Sequence, residues 1–400
     1  MAISQAGNVA GISQEQWASQ YAAQTGPATR IGPFQSVHVF WLAGMSCDGC
    51  SIAVLGATAP SVESLLTGSL PGVPIVFLHH TALQLEAGQA FVEPMRRAWK
   101  GELGAPYVIV YEGSIPDESK ATPYGGYWSA VGEEEDPTTG QLRQVPSSEW
   151  VKRLAPGAAA VIAIGTCATW GGIPAAYGNP TNAMSVMDFL GRDYRSTLGV
   201  PVVNVPGCSP IGDNFTETVA AVLLFLQGIG PLPEFDDLGR PAWLFGETVH
   251  RHCVRAGYYE EGTFADGYGD RECLVEIGCW GPVVNCNITS RGAINHLGGC
   301  MNVGGPCIGC TMPGFPDKFS PFYKAPPGTL VSGTASRLVG SFVRPLRRIT
   351  QRDRNREVRW DRTGEVTSGW GAPRSPTFVD RLVDAAYNRL RRSGSAAKHI

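Results

Sequence analysis

The sequence contains no long hydrophobic run, and this absence excludes a membrane-spanning helix. Its longest apolar runs, such as AAAVIAIG (residues 158–165), are much shorter than the roughly 18 residues that a bilayer crossing requires. Residues 1–30 also lack a basic start, an apolar segment and a twin-arginine pair. The sequence therefore predicts no transmembrane segment, no export signal and a cytoplasmic location.

Nucleotide-binding motifs, repeats and an overall charge imbalance are missing as well. There is no P-loop, no GxGxxG fingerprint and no low-complexity tract. The formal net charge of −3 gives no reason to expect nucleic acid as a partner. The exception is residues 331–400, where 15 Arg and Lys against 6 Asp and Glu leave a surplus of +9.

What the sequence does contain is glycine, proline and cysteine. Fifty Gly and 30 Pro in 400 residues imply long irregular stretches that something other than secondary structure must hold. Eleven cysteines suggest what does so. In a reducing cytoplasm disulfides are an improbable use for them, which leaves buried thiols, redox chemistry or metal.

The first half predicts an α/β fold with an open parallel sheet. Short, near-continuous apolar runs are typical of strands that are covered on both faces. Apolar residues at helical intervals separate them at 82–101 and 184–192. The five predicted strands are VHVFWLA (37–43), VPIVFL (73–78), APYVIVY (105–111), AAAVIAIG (158–165) and VPVVNV (200–205).

Cysteines follow three of these strands, in glycine-rich turns. Cys47 and Cys50 follow the first strand, Cys167 the fourth and Cys208 the fifth. Because the carboxyl ends of parallel strands meet at one sheet edge, we expect the four thiolates to converge there. They would suit zinc or an iron–sulfur cube; the alternative is four buried apolar cysteines. Glu112 and the glycine after it, at the end of the third strand, are either part of this site or a solvated turn.

The second half has a second group of candidate ligands. Residues 280–316 are too rich in Gly, Pro and Asn to form a self-sufficient helix or sheet, so metal must supply the missing stability. The histidine at i and the cysteine at i+3 in TVHRHC lie on one side of a turn, which favours that histidine as a ligand. The candidates are His250, Cys253, Cys273, Cys279, Cys286, Cys300, Cys307 and Cys310.

Eleven cysteines and His250 make twelve donors, or three sets of four. Zinc could occupy such sets, but three zinc sites would have no obvious structural purpose. A row of redox clusters would conduct electrons. A zinc-stabilised structural protein remains the alternative from the residues alone.

Seven motifs in order resemble the small subunit of nickel–iron hydrogenases, in particular the cytosolic actinobacterial-type branch associated with high-affinity hydrogen uptake. They span residues 35–323. The resemblance implies a flavodoxin-like domain with a proximal cluster, a second domain with a medial and a distal cluster, and a nickel–iron site in a separate large subunit. The motifs are WLAGMSCDGC, YEGSIP, GTCATWGGIPAAYGNPT, NVPGCSP, TVHRHC, CLVEIGCWGP and PCIGCTMPGFPDKFSPF.

The resemblance also assigns the ligands. It implies three 4Fe–4S clusters, the medial one completed by Cys300 where many family members have proline. The proximal set is Cys47, Cys50, Cys167 and Cys208; the distal set is His250, Cys253, Cys273 and Cys279; the medial set is Cys286, Cys300, Cys307 and Cys310.

The predicted organisation is an N-terminal segment (1–34), the flavodoxin-like domain (35–215), an irregular cluster-bearing domain (216–325) and a basic C-terminal extension (326–400). The predicted function is electron transfer from hydrogen oxidation in the large subunit to an unknown external acceptor, without a catalytic residue in this chain. The alternative oxidoreductase is the cluster-bearing chain of a quinone-linked complex, which carries only a proximal-type cluster.

Two further expectations concern Asp48 and the extension. The Asp48 carboxylate, between Cys47 and the flexible Gly49, can reach an iron, so we predict that it can replace one thiolate of the CDGC motif. In the extension, apolar residues at helical spacing from Phe378 to Leu390 predict an amphipathic helix. Its basic charge favours a dimer of heterodimers, against a helix packed on its own domain or on a membrane surface.

Overall fold

A computed structural model describes residues 32–136, 138–322, 334–335 and 337–339. The chain forms two compact units, of which the first comprises Met1–Thr248, Val284–Leu297 and Gly309–Pro321. The second comprises Val249–Val283, Gly298–Ile308 and Phe322–Ile400. The domain boundaries expected from the sequence stay a prediction, and the expected helix near residues 378–390 lies outside the described residues.

The first unit contains the predicted parallel sheet. Its strand order is β2-β1-β3-β6-β7, and every neighbouring pair is parallel. Counting only these five strands, the order is 2-1-3-4-5, which is that of flavodoxin-like folds. The α/β fold class is thereby confirmed. The strands are β1 (Ser36–Ala43), β2 (Ile75–His80), β3 (Tyr107–Glu112), β4 (Ala130–Glu135), β5 (Leu142–Pro146), β6 (Ala160–Ile164) and β7 (Val203–Val205).

Both faces of the sheet are covered, as the continuous apolar runs predict. On one face Phe40, Ile109 and Val161 pack with helix residues such as Met95 and Trp150. The opposite face has its own core, in which Val39, Val110 and Ile162 meet Phe215 and Leu223. This double cover makes the sheet a rigid base for the loops at its carboxyl edge.

Several elements of the first unit were not predicted from the sequence, and one predicted helix begins later than expected. Strands β4 and β5 form an antiparallel pair outside the main sheet. The helix predicted over 82–101 begins only at Gln89, because Gly88 before it has φ 60° and ψ −130°, which is incompatible with a helix. The helices are α1 (Gly49–Leu55), α2 (Val62–Leu66), α3 (Gln89–Trp99), α4 (Ser147–Leu154), α5 (Gly165–Trp170), α6 (Val186–Leu190), α7 (Gly212–Leu226), α8 (Ala242–Phe245), α9 (Ala256–Glu260) and α10 (Ile288–Arg291).

The described part of the second unit consists mainly of loops and short turns. Its α-helix α9 has five residues, and a small apolar cluster is built on Phe264, Cys273 and Val275. Within the described ranges, no helix combines the length and apolarity needed to span a bilayer. The 3-10 turns of this unit are Val249–His252, Leu274–Ile277, Gly281–Val283 and Met301–Val303.

Candidate metal centres

The first candidate centre lies at the carboxyl edge of the parallel sheet. Cys47 and Cys50 follow β1, Cys167 lies in helix α5 directly after β6, and Cys208 follows β7. Besides burial, the negative charges of the Cys47, Cys167 and Cys208 thiolates raise the pKa of the Cys50 thiol. The structure therefore brings the four sequence-predicted thiols of the proximal set together.

Backbone contacts hold two of these loops against each other. The backbone N–H of Thr166 donates to the carbonyl of Gly207 at 3.0 Å, and the N–H of Gly207 donates to Thr166 Oγ1 at 3.1 Å. Gly165 has φ +82°, and a Cβ there would collide with the sulfur of Cys50. Glycine at this position thus leaves the space in which a thiol from the loop after β1 meets the end of β6.

Burial raises the pKa of three of these thiols, those of Cys50, Cys167 and Cys208. It is the largest cause that raises the pKa of Cys50, followed by the negative charge of Glu112 and then the other thiols. Burial likewise raises the pKa of Cys167 to about 11 and, to a lesser degree, that of Cys208. Thiolates are consequently unfavourable here without a cation, so metal binding must release protons.

Glu112 supports the loop that carries Cys50. The end of β3 places its side chain in the interior at 1% exposure, which shows that the solvated-turn interpretation was wrong. Its carboxylate accepts hydrogen bonds from Trp41 Nε1 (3.0 Å) and from the backbone N–H groups of Cys50 (3.1 Å) and Ser51 (3.3 Å). The Ser51 hydroxyl donates to the same carboxylate and lies 2.9 Å from His80 Nε2.

The second candidate centre lies in the second unit. An apolar cavity there is lined by His250, Cys253, Cys273 and Cys279, which are the sequence-predicted distal set. Burial lowers the pKa of His250, which keeps the imidazole neutral as a metal ligand requires. Burial raises the pKa of the Cys273 thiol to about 12, so this set also favours bound metal over free thiolates.

Backbone N–H groups point at the sulfur atoms of the distal set. Cys279 Sγ accepts from the N–H of Gly281 at 3.4 Å and from the N–H of Cys307 at 3.3 Å. The N–H of Arg255 donates to Cys253 Sγ at 3.4 Å. Such N–H···S contacts stabilise thiolates and are one way in which proteins set iron–sulfur potentials.

The members of the third predicted set are divided between the two units. Cys286 and Cys310 belong to the first unit, whereas Cys300 and Cys307 belong to the second. The medial set therefore stays a prediction from the sequence. All eleven cysteines lie among the described residues, and none of them forms a disulfide.

The two described sets consist of the kinds of donor that both zinc and iron–sulfur clusters use. In the described part of the chain, no three Cys, His, Asp or Glu side chains are grouped closely enough to hold a single metal ion. A zinc ion needs its four donors around one point, whereas a four-iron cluster takes one donor at each iron. At the proximal set burial and the other three thiols raise the pKa of Cys50, and the distal donors line one apolar cavity.

Known proteins are similar in sequence to this protein along most of the chain. Residues 47–222 match the family described as NADH ubiquinone oxidoreductase, 20 Kd subunit. Residues 245–323 match the family that describes the C-terminal part of the NiFe/NiFeSe hydrogenase small subunit. The small subunit of the periplasmic [NiFeSe] hydrogenase of Desulfomicrobium baculatum is 35% identical over 289 residues, which cover 72% of this chain and 87% of that protein. This chain belongs to the small-subunit family of nickel–iron hydrogenases.

Other members of the nickel–iron hydrogenase family are also similar to this chain over most of its length. The Hydrogenase-2 small chain of Escherichia coli K12 is 34% identical over 287 residues, covering 70% of this chain and 68% of that one. Among solved structures, the actinobacterial-type NiFe-hydrogenase from Ralstonia eutropha H16 is 46% identical with a TM-score of 0.75, and the match covers 87% of this chain and 99% of that chain.

Membership defines the protein's general role. The chain is the iron–sulfur small subunit of an oxidoreductase complex in which it pairs with a hydrogenase large subunit. The match over 245–323 is to the hydrogenase small-subunit family and covers the downstream candidate ligands, which excludes the quinone-linked interpretation. Two residues of the sites were not identified from the sequence: Trp41, which bonds to Glu112, and Arg255, which lines the distal cavity.

Proposed function

We propose that this protein transfers electrons from hydrogen oxidation in its large subunit, through three 4Fe–4S clusters, to an external acceptor. The observation that carries the proposal is the pair of donor sets: four thiols at the sheet edge and four donors around one apolar cavity. When bound, the clusters supply one-electron redox chemistry.

The chain's own residues do the remaining work. The thiols and His250 would hold the irons, and the double-covered sheet fixes where the proximal set stands. A neutral imidazole in place of a thiolate at the distal set lowers the local negative charge, which favours electron arrival there. Buried surroundings exclude water from Cys273 and Cys279.

The decisive experiment is to purify the chain together with its large subunit and to assay metal and activity. We expect brown protein with about twelve irons in each copy of this chain, nickel in the complex, and hydrogen-dependent dye reduction. Colourless protein that contains zinc, or iron-containing protein without nickel or hydrogen-dependent activity, would contradict the proposal.

Cys300 is expected to make the medial cluster a four-iron one. Its φ of −45° lies about 20° from the value of about −65° that proline imposes, so Cys300→Pro removes the thiol and requires a small change in the backbone. We expect this variant to lose about one iron per chain and to show a three-iron signal with a higher potential. Iron analysis and electron paramagnetic resonance measure both changes.

The matched control is Cys300→Ser, which keeps the unrestrained backbone and replaces sulfur by oxygen. A three-iron signal in the freshly reduced, unmutated protein would refute the role of Cys300.

Asp48 is proposed as an alternative ligand of the proximal cluster. It lies in the left-handed region at φ 58°, and its carboxylate makes no capping bond to helix α1. The side chain is exposed and lies directly after Cys47. We expect Asp48→Ala to change the spectrum and potential of the proximal cluster in air, with Asp48→Asn as the isosteric control. Identical spectra and potentials for Asp48→Ala and the unmutated protein, in air and under hydrogen, would leave Asp48 as a turn residue.

Assembly and location complete the proposal. We propose a dimer of heterodimers that the basic extension helps to form, in the cytoplasm. Deleting residues 331–400 should then halve the particle mass measured by light scattering and leave the iron content per chain intact. An unchanged mass would contradict the proposed role of the extension in assembly.

Several relatives are named as periplasmic, so cell fractionation is the test of the proposed cytoplasmic location.

A further inference from the structure

Arg255 is a buried cation beside the distal donor set. Only 1% of its surface is exposed, although an arginine side chain is normally solvated. It lines the same cavity as His250, Cys253, Cys273 and Cys279.

The surrounding backbone fixes this side chain in place. Arg255 Nη1 donates to the carbonyl oxygens of Asp270 (2.6 Å) and Glu272 (2.7 Å), which lie just before Cys273 in the chain. The backbone N–H of Arg255 also donates to Cys253 Sγ. One residue thus connects the two segments that carry Cys253 and Cys273, and the same residue lines the cavity.

A fixed positive charge next to a redox centre shifts its potential in a known direction. Reduction adds one negative charge to the centre, and a nearby cation stabilises that charge. In a buried site the stabilisation is larger than at the surface, because solvent screens it less. The guanidinium keeps its charge at every physiological pH.

We propose that Arg255 is a positioning residue that holds the Cys253 and Cys273 segments together and, through its charge, raises the reduction potential of the distal cluster. The inference rests on the proposed function, because it requires an iron–sulfur cluster at this set.

The test is a redox titration of the distal cluster in the purified complex, followed by electron paramagnetic resonance. The neutral variants are Arg255→Gln and Arg255→Met, and Arg255→Lys keeps the charge. Arg251 offers a matched control, because it lies two residues before Cys253 as Arg255 lies two residues after it, but is exposed.

We expect the neutral variants to lower the reduction potential of the distal cluster by about 59 mV or more, which corresponds to a tenfold change in the one-electron equilibrium constant. The proximal potential should stay the same, and Arg255→Gln, which keeps an amide donor for the carbonyls of Asp270 and Glu272, should keep its iron content. Arg255→Lys should keep the potential near the unmutated value, and Arg251→Gln should leave it unchanged.

Opposite outcomes overturn the inference. A fully loaded neutral variant with an unchanged potential would show that the charge has no such role, and so would an equal shift in Arg251→Gln. If the neutral variants do not load iron but Arg255→Lys does, the result supports a role for the positive charge. If none of the three variants loads iron, Arg255 has only a structural role and the effect on the potential is refuted. Absence of a distal cluster signal in the unmutated complex would instead refute the proposed function.

Discussion

Replacing Cys47 by alanine is expected to remove the proximal cluster and with it the electron path out of the large subunit. Because Cys47 is exposed, its thiol contributes little to packing, so the loss of a ligand is the main effect. We expect about four irons fewer per chain. Hydrogen-dependent dye reduction should fall about 100-fold or more, beyond the loss typical for outer ligand partners.

The neighbouring variant Ser46→Ala is the control for this experiment. Ser46 Oγ accepts a hydrogen bond from the N–H of Asp48 at 3.0 Å, so the variant perturbs the same loop without removing a thiol. We expect full iron content from it. If Cys47→Ala kept its iron and its activity, the proximal ligand set would be wrong.

Removing the Glu112 carboxylate is expected to destabilise the first unit strongly. Glu112→Ala leaves the buried Nε1–H of Trp41 and the half-buried backbone N–H groups of Cys50 and Ser51 without their acceptor. Each unsatisfied buried donor costs about 1 to 3 kcal/mol, so we expect a total loss of about 3 kcal/mol or more. A lower midpoint in denaturant-induced unfolding, together with faster loss of proximal iron, would be the measured result.

Two further variants are expected to destabilise the first unit less than Glu112→Ala does. Trp41→Phe removes one donor and should cost only about 1 kcal/mol, while Glu112→Gln keeps one accepting oxygen and should fall between the two. Equal midpoints for Glu112→Ala and the unmutated protein would contradict the role assigned to this network.

Several parts of the fold could be predicted because their signals are local. A strand covered on both faces must be apolar along its whole length, and β1, β3 and β6 all have that pattern. The β4–β5 pair was missed because β4 is AVGEEE, in which alternating exposure carries charged residues and gives no apolar run. Helix α3 begins later than predicted because of the backbone conformation of Gly88. The spacing of apolar residues carries no information about that conformation.

The family, the order of the motifs and the twelve candidate ligands could all be identified from the sequence, because cysteine spacing and glycine-rich turns are local features of the chain. What surrounds those ligands required three-dimensional coordinates. The sequence left Glu112 open between a site residue and a solvated turn and did not identify Arg255, yet both are 1% exposed. Their burial depends on partners that folding brings across 15 to 71 residues: Trp41 and Cys50 for Glu112, and the carbonyls before Cys273 for Arg255. A buried charge is stable only where such partners converge, and residues distant in sequence converge only in the folded chain.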